Sequence, residues 1–236
     1  MQNETEIRSV DLYGDGIGKV ELIQHYGNDK LVVNSARVSH GNYKEELDSK
    51  DEKLIKFLIK NRHTSTLEHC GVTFKFTVPI YVRSQHHRHR TWSYNEISRR
   101  YTDENIRFYE PTSFRTQHES NRQASNSDEL IDPELEEYFY LRASDKIIAH
   151  HVNCIGLYEE LITSGICREQ ARGVLPQNAY TEYYGTANLN NILKFIDLRL
   201  DSHAQWEIQE VAKAVLEITS QLFPITVGSY REWRNK

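Results

Sequence analysis

The residues best suited to chemistry lie between positions 85 and 101, Gln-His-His-Arg-His-Arg-Thr-Trp-Ser-Tyr-Asn-Glu-Ile-Ser-Arg-Arg-Tyr. With Arg83 just upstream, this stretch carries five arginines against one acid, Glu96, in a chain of formal net charge −5. One reading is a solvated basic loop. The other is an anion site. Guanidinium forks, the faces of Trp92, Tyr94 and Tyr101, and the small polar groups of Gln85, Asn95 and Ser98 suit a flat, negatively charged ligand. Two further arginines stand out downstream. Arg172 follows Arg168 by four residues on a short helix that must end before Pro176. Arg199 falls seven residues after Ile192, on the apolar face of a helix striped by Leu189, Ile192, Leu193 and Ile196. An arginine there is either paired with a buried acid or waiting for a ligand.

The elements that position these groups are legible from periodicity. Val72, Phe74, Phe76 and Val78 alternate with polar residues, which predicts a strand with one buried face. Pro79 then starts a helix from Ile80 to about Arg88, with Gln85 and Arg88 sharing a face. The basic stretch is expected to be irregular, with residues 106–109 returning as a strand. Residues 8–26 read as two strands around Gly14-Asp15-Gly16-Ile17-Gly18. A strand follows those glycines, so they make a hairpin turn and not a dinucleotide loop. Asn28 or Asp29 caps a helix to about Val38. Ser49-Lys50-Asp51-Glu52 reads as a capping box for a helix ending near Asn61. The segment from His63 to His69 is a polar loop, open to a connecting or a ligand-facing role. Residues 112–131 read as a polar surface loop. A helix of about 30 residues is predicted from Asp132-Pro133, with Gly165 as its C-cap. Tyr180 to Thr186 is a strand. Ser202 to Gln205 is a further capping box, before an apolar face of Ala204, Ile208, Val211, Val215, Ile218 and Leu222.

Composition narrows the class. The hydrophobic share of 38 % and charged share of 27 % fit an ordinary globular chain. Residues 1–236 show neither an internal repeat nor a domain boundary, so one domain is expected. No apolar run approaches the roughly 18 residues that cross a bilayer, and the polar N-terminal residues lack a signal-peptide core. Cys70, Cys154 and Cys167 are few, odd in number and widely spaced, which suggests neither a disulfide framework nor a zinc knuckle and points to a reducing cytoplasm.

Three chemistries compete for the basic stretch. A nucleotide and flavin enzyme would use Arg88, Arg90, Arg100, Arg172 and Arg199 for phosphates and a polarisable ring. A nucleic-acid-binding module would use the same arginines, but the chain is acidic and its basic residues are not spread along one element. A metal site would need His86, His87, His89, His63 and His69 to converge, yet adjacent helical histidines point apart and no zinc-site spacing occurs. The first reading predicts no nucleic-acid, membrane or metal partner.

The motif decides among them. Arg88-His89-Arg90, seven residues, then Ser98 resembles the Arg-His-Arg-x7-Ser signature of the flavin-dependent thymidylate synthases. Ser35 to Ser39, the His63 to His69 loop, Ala171 to Pro176 and Leu198 to Glu207 are similar too, in collinear order over roughly residues 20–225. The resemblance implies an α+β fold with a central antiparallel sheet flanked by helices. It implies a homotetramer with active sites where subunits meet. It implies a methyltransferase that converts dUMP to dTMP, with 5,10-methylenetetrahydrofolate as methylene donor and NADPH as reductant through FAD.

Site residues follow from the same resemblance. Gln85, His86, His87, Arg88, Glu96, Ile97, Ser98, Arg99, Arg100 and Arg172 fall where the family holds dUMP. Arg99 stands where many relatives carry a small residue, so its contact is expected through the backbone. Ser65, Glu68, Arg88, His89, Arg90, Thr91, Asn95, Glu96, Asn188, Asn190 and Lys194 fall where it holds FAD, and His63 lies near flavin and folate. Asn190 and Lys194 depart from the residue types usual there. Arg199 aligns with the arginine that activates the uracil ring, so no cysteine nucleophile is required.

Overall fold

The computed structural model describes residues 7–102, 104–136 and 140–234. The chain opens with β1 (Ser9–Asp11) and β2 (Lys19–Tyr26), an antiparallel pair. The turn between them is the expected hairpin: the Asp11 carboxylate accepts from the backbone of Tyr13, Gly14 and Gly16, and Asp15 from Ile17 and Gly18. Gly14 and Gly16 take φ of 71° and 69°, which glycine adopts without strain. Helix α1 (Asp29–Arg37) is capped by the Asn28 side chain. Helix α2 (Ser49–Lys60) has its reciprocal box one residue earlier than expected, between Asp48 and Asp51.

Strand β3 (Gly71–Pro79) leads into α3 (Ile80–His86), which is shorter than expected. The basic stretch is not wholly irregular. It contains β4 (Ser93–Glu96), an edge strand. Next come β5 (Phe114–Gln117) and β6 (Ser125–Ile131), then β7 (Glu134–Glu136) and β8 (Leu141–Arg142). Helix α4 (Ala143–Thr163) and the short α5 (Arg168–Ala171) precede β9 (Tyr180–Asn188). Helices α6 (Leu189–Arg199), α7 (Trp206–Leu222) and α8 (Pro224–Arg234) finish the chain.

The architecture is the expected α+β one. Strands run antiparallel in the order β1-β2-β3-β9-β4. Phe74 faces Gly185 and Phe76 faces Tyr183 across β3 and β9. Phe74, Phe76 and Tyr183 join Val20, Ile55, Ile192, Phe195, Ile208, Val211, Val215 and Ile218 in one buried cluster under the helices. Burying such side chains contributes roughly 1.5–3 kcal/mol each. The other sheet face is polar, with Thr73 bonded to Thr186 at 2.9 Å and Lys75 paired with Glu182 at 2.7 Å.

Four expectations need correction. Residues 112–131 are not a loop: β5 and β6 pair, and Gln117 donates to the carbonyls of Asn121 and Ala124 inside the turn. Most residues of the two strands are polar, so no apolar alternation marks the hairpin in the sequence. The helix expected from Asp132 starts at Ala143 and has 21 residues. Asp132 does cap it, but across the β7–β8 hairpin, by accepting from the Ser144 backbone and hydroxyl; positions 137–139 of the expected helix lie outside the described residues. Residues 106–109 form only a bridge, Phe108 to Ala179. The Ser202 box does not form, because α7 begins after Gln205 without a side-chain cap. The glycine cap of α4 is as expected: Gly165 has φ of 86°.

Candidate active site

The site is built where α3, the basic stretch and the C-terminal end of α6 meet. Arg199 closes α6, on the apolar face that its spacing predicts. Its Nη2 donates to the Gln85 carbonyl at 2.8 Å and its Nε to His89 Nε2 at 3.1 Å. Neither partner is a carboxylate. Burial lowers the Arg199 pKa, although a guanidinium remains charged at neutral pH. Burial, and secondarily Arg199, holds His89 down to about 4. The neutral ring therefore offers Nε2 as an acceptor and carries its proton on Nδ1. Of the five guanidinium N–H groups, two are spent, so the fork keeps donors for a ligand.

An aromatic cluster holds this loop on the sheet. His86 is fully buried, with Nδ1 2.9 Å from the Tyr183 hydroxyl and its ring packed on Phe76, Trp92 and Phe195. Burial keeps its pKa well below the usual histidine value. Position 86 lies one turn after buried Val82, so its ring points inward. His86 is thus a core group in this chain and not an exposed nucleotide contact. The Tyr94 hydroxyl ties the loop: its one proton is shared between the carbonyls of His86 at 2.9 Å and His89 at 3.1 Å. His87 is half-buried with its ring 4.1 Å from that of Tyr94.

Glu96 ends β4 with its carboxylate engaged: Thr181 donates to Oε1 at 2.7 Å and Arg83 Nε lies 3.1 Å from the same oxygen. Arg88, Arg90, Thr91, Asn95 and Arg100 of the same stretch are exposed. Ser98 Oγ accepts from the Arg100 backbone, and Arg100 lies over the Tyr101 ring. Ile97 and Arg99 line a second cleft of about 230 Å³ with Tyr180 and Glu182.

A further group gathers at the other end of α6. Residues expected to be a loop form a 3-10 turn, Thr64–His69, that carries Ser65 and Glu68 on its exposed side. Glu68 accepts from buried Asn190 at 3.1 Å. Asn188 caps α6 by accepting from the Asn191 backbone. His63, Arg62, Asn190 and Lys194 line a cleft of about 240 Å³, walled by Leu58, Leu67 and Trp233. Arg172 is not brought to either group; it sits exposed on the 3-10 turn Arg172–Val174 after α5. Sequence reasoning missed Arg115 and Thr181, which belong to the site's supports. Arg115 holds Glu207 and Thr181 holds Glu96; both act on residues distant in sequence, which leaves no local signal.

Fold and site together define a class: an antiparallel α+β protein presenting arginine donors and a polar cleft to a flat anionic ligand. The family model described as thymidylate synthase complementing protein matches residues 21–225. The flavin-dependent thymidylate synthase of Thermus thermophilus is 41 % identical over 215 residues, covering 91 % of this chain and 76 % of that protein. The Thermosipho africanus enzyme of the same description is 36 % identical, covering 93 % of each chain. A UMP/dUMP methylase from Streptomyces cacaoi, crystallised with 5-Br dUMP, superposes with a TM-score of 0.80 at 29 % identity, covering 94 % of this chain and 97 % of the other. The chain belongs to the flavin-dependent thymidylate synthase family.

Proposed function

We propose that this chain, as a single domain in a homotetramer, methylates dUMP to dTMP with 5,10-methylenetetrahydrofolate as methylene donor and NADPH as reductant through FAD. A reducing cytoplasm fits its free thiols. The observation that carries the reading is Arg199, gripped by the Gln85 carbonyl and a neutral His89 with guanidinium donors left over.

Arg199 acts on the pyrimidine. Carbon C5 of uracil is a weak nucleophile, and shifting N3–H toward the N3 anion pushes electron density through the ring onto it. A guanidinium directed at N3 and its neighbouring carbonyl stabilises the developing charge, and its grip by two fixed acceptors means little reorganisation is needed. Arg88, Arg100 and Arg172 are the phosphate donors, with Arg172 reaching the site of a neighbouring subunit. Glu96, Ser98 and the Arg99 backbone orient the nucleotide. No cysteine serves as nucleophile. Cys70 is buried with its thiol pushed up to about 11 by desolvation, and Cys154 and Cys167 lie on α4 and just before α5.

The donor set fits a flavin dinucleotide. Asn188 and Asn190 at the start of α6 and Lys194 midway along it, with Glu68 bonded to Asn190, His63 lining the same cleft and Ser65 on the adjoining 3-10 turn, supply the helix terminus and polar groups that phosphates and a ribityl chain require. The cleft of about 240 Å³ is smaller than the usual range of roughly 300–1,000 Å³ for a full cofactor site, which agrees with completion by a second subunit. Bound FAD would supply the reducing equivalents; His89, Arg90, Thr91 and Asn95 would flank it.

The test is to incubate the purified protein with FAD, NADPH, methylenetetrahydrofolate and dUMP, then measure dTMP. Formation of dTMP that needs all four supports the reading. A protein that ignores FAD and instead binds oligonucleotides with a steep salt dependence overturns it in favour of nucleic-acid binding.

A further inference from the structure

We propose that Glu207, held by Arg115 of the β5–β6 hairpin, is a positioning residue that fixes which end of the Gln85 side-chain amide is offered to the ligand. The inference rests on the reading that Gln85 contacts the nucleotide. Four side chains form one hydrogen-bonded line. Arg115 Nη2 donates to Glu207 Oε1 at 2.7 Å. Gln205 Nε2 donates to Glu207 Oε2 at 2.8 Å. Gln85 Nε2 donates to Gln205 Oε1. The line ends one backbone carbonyl from Arg199, because the Gln85 carbonyl accepts from it.

The direction of this line follows from its buried end. A carboxylate only accepts. Glu207 is 4 % exposed, and a carboxylate so placed requires a cation, which Arg115 provides. Gln205 must therefore turn its NH₂ toward Glu207 and its carbonyl toward Gln85. Gln85 must then turn its own NH₂ toward Gln205. What remains free on Gln85 is its carbonyl oxygen and one N–H. An amide that would otherwise flip between two nearly equivalent orientations is committed by a carboxylate two residues away. The free carbonyl suits a ligand donor such as a sugar hydroxyl or an imide N–H.

Arg115 is itself firmly seated. Its Nε donates to Ser125 Oγ at 3.0 Å, and its guanidinium lies 5.0 Å from the Trp206 ring centroid. Trp206 packs on Tyr13, whose hydroxyl donates to the Glu207 carbonyl. The polar hairpin thus has a use at the site: it delivers the cation that keeps the line polarised.

The experiment measures dUMP binding to the FAD-loaded protein by calorimetry. Glu207→Gln is nearly isosteric but lets both amides flip; it should weaken dUMP about 10-fold, one hydrogen bond's worth. Flavin occupancy should stay unchanged; the thermal midpoint should fall, because Arg115 loses its buried partner, and the affinity is therefore compared at a temperature where both proteins are fully folded. Arg115→Lys, which keeps the cation, should retain most of the affinity, and Arg115→Ala should behave like Glu207→Gln. In a Gln85→Ala background the Glu207→Gln effect should vanish. An equal loss in both backgrounds, or no loss in either, overturns the proposal. A second readout is the Gln85 side-chain amide in ¹⁵N spectra: one protected N–H in the starting protein, lost in Glu207→Gln. A starting protein that fails to bind dUMP removes the nucleotide reading, and the amide signal then decides the line alone: protection unchanged in Glu207→Gln overturns it.

Discussion

The grip on Arg199 makes a pH-dependent prediction. His89 accepts the Arg199 Nε–H only while Nε2 is unprotonated. Burial first, and the Arg199 charge second, bring its pKa from 6.5 to about 4. The folded state thus disfavours the charged ring. The corresponding stability is fully present above pH 6.5 and is lost as pH falls toward 4. On a fully shielded ring this would be about 3.4 kcal/mol. The ring is half-buried, so solvent screening reduces the expectation to about 1–2 kcal/mol. Histidine NMR titration is the direct assay, with His89→Gln to assign the resonance. At pH 5 roughly a tenth of the rings should be protonated, given a pKa near 4. Arg199→Ala should raise the pKa only part of the way to 6.5, because desolvation is the larger cause. A His89 resonance that titrates at or above 6.5 in the starting protein would refute the reasoning, since the ring would then be a cation facing a cation.

Two further outcomes test other parts of the account. A variant with Cys70→Ala, Cys154→Ser and Cys167→Ser should form dTMP at close to the starting rate; loss of turnover with the fold intact would reinstate a thiol nucleophile. Gly185→Ala should destabilise by about 1–3 kcal/mol through overpacking, because the added methyl would sit 2.8 Å from the Phe76 ring and 3.4 Å from Trp92. A denaturant midpoint that does not move would show that the Phe76 and Trp92 rings against β9 can shift.

The parts legible in the sequence share a property: each is decided locally. Alternation in β3, the stripe on α6 and the turn at Gly14 to Gly18 are set by neighbours within a few residues, and the structure bears them out. The approach of Arg199 to an element a hundred residues earlier was legible only as a misplaced charge on an apolar face. Its partners, the Gln85 carbonyl and His89, came only from the structure. What was hidden depends on distant pairing. β4 is polar, and it is a strand only because Ser93 to Glu96 find β9. The β5–β6 hairpin is a backbone ladder with the Gln117 amide bracing its turn, and it carries no apolar alternation. Asp132 caps α4 from eleven residues before Ala143, where a local rule expects it adjacent. The resemblance set His86 among the nucleotide residues, while its helical phase one turn after Val82 buries its ring in the core.

The central claim is that Arg199 activates the pyrimidine and is not needed to hold the protein together. Arg199→Ala, loaded with FAD and supplied with NADPH, methylenetetrahydrofolate and dUMP, tests it in one measurement of dTMP formed per bound flavin. The account predicts retained flavin and a loss of roughly 10²–10³ in turnover, the scale of a removed electrostatic stabiliser. Turnover per flavin equal to that of the starting protein would contradict it.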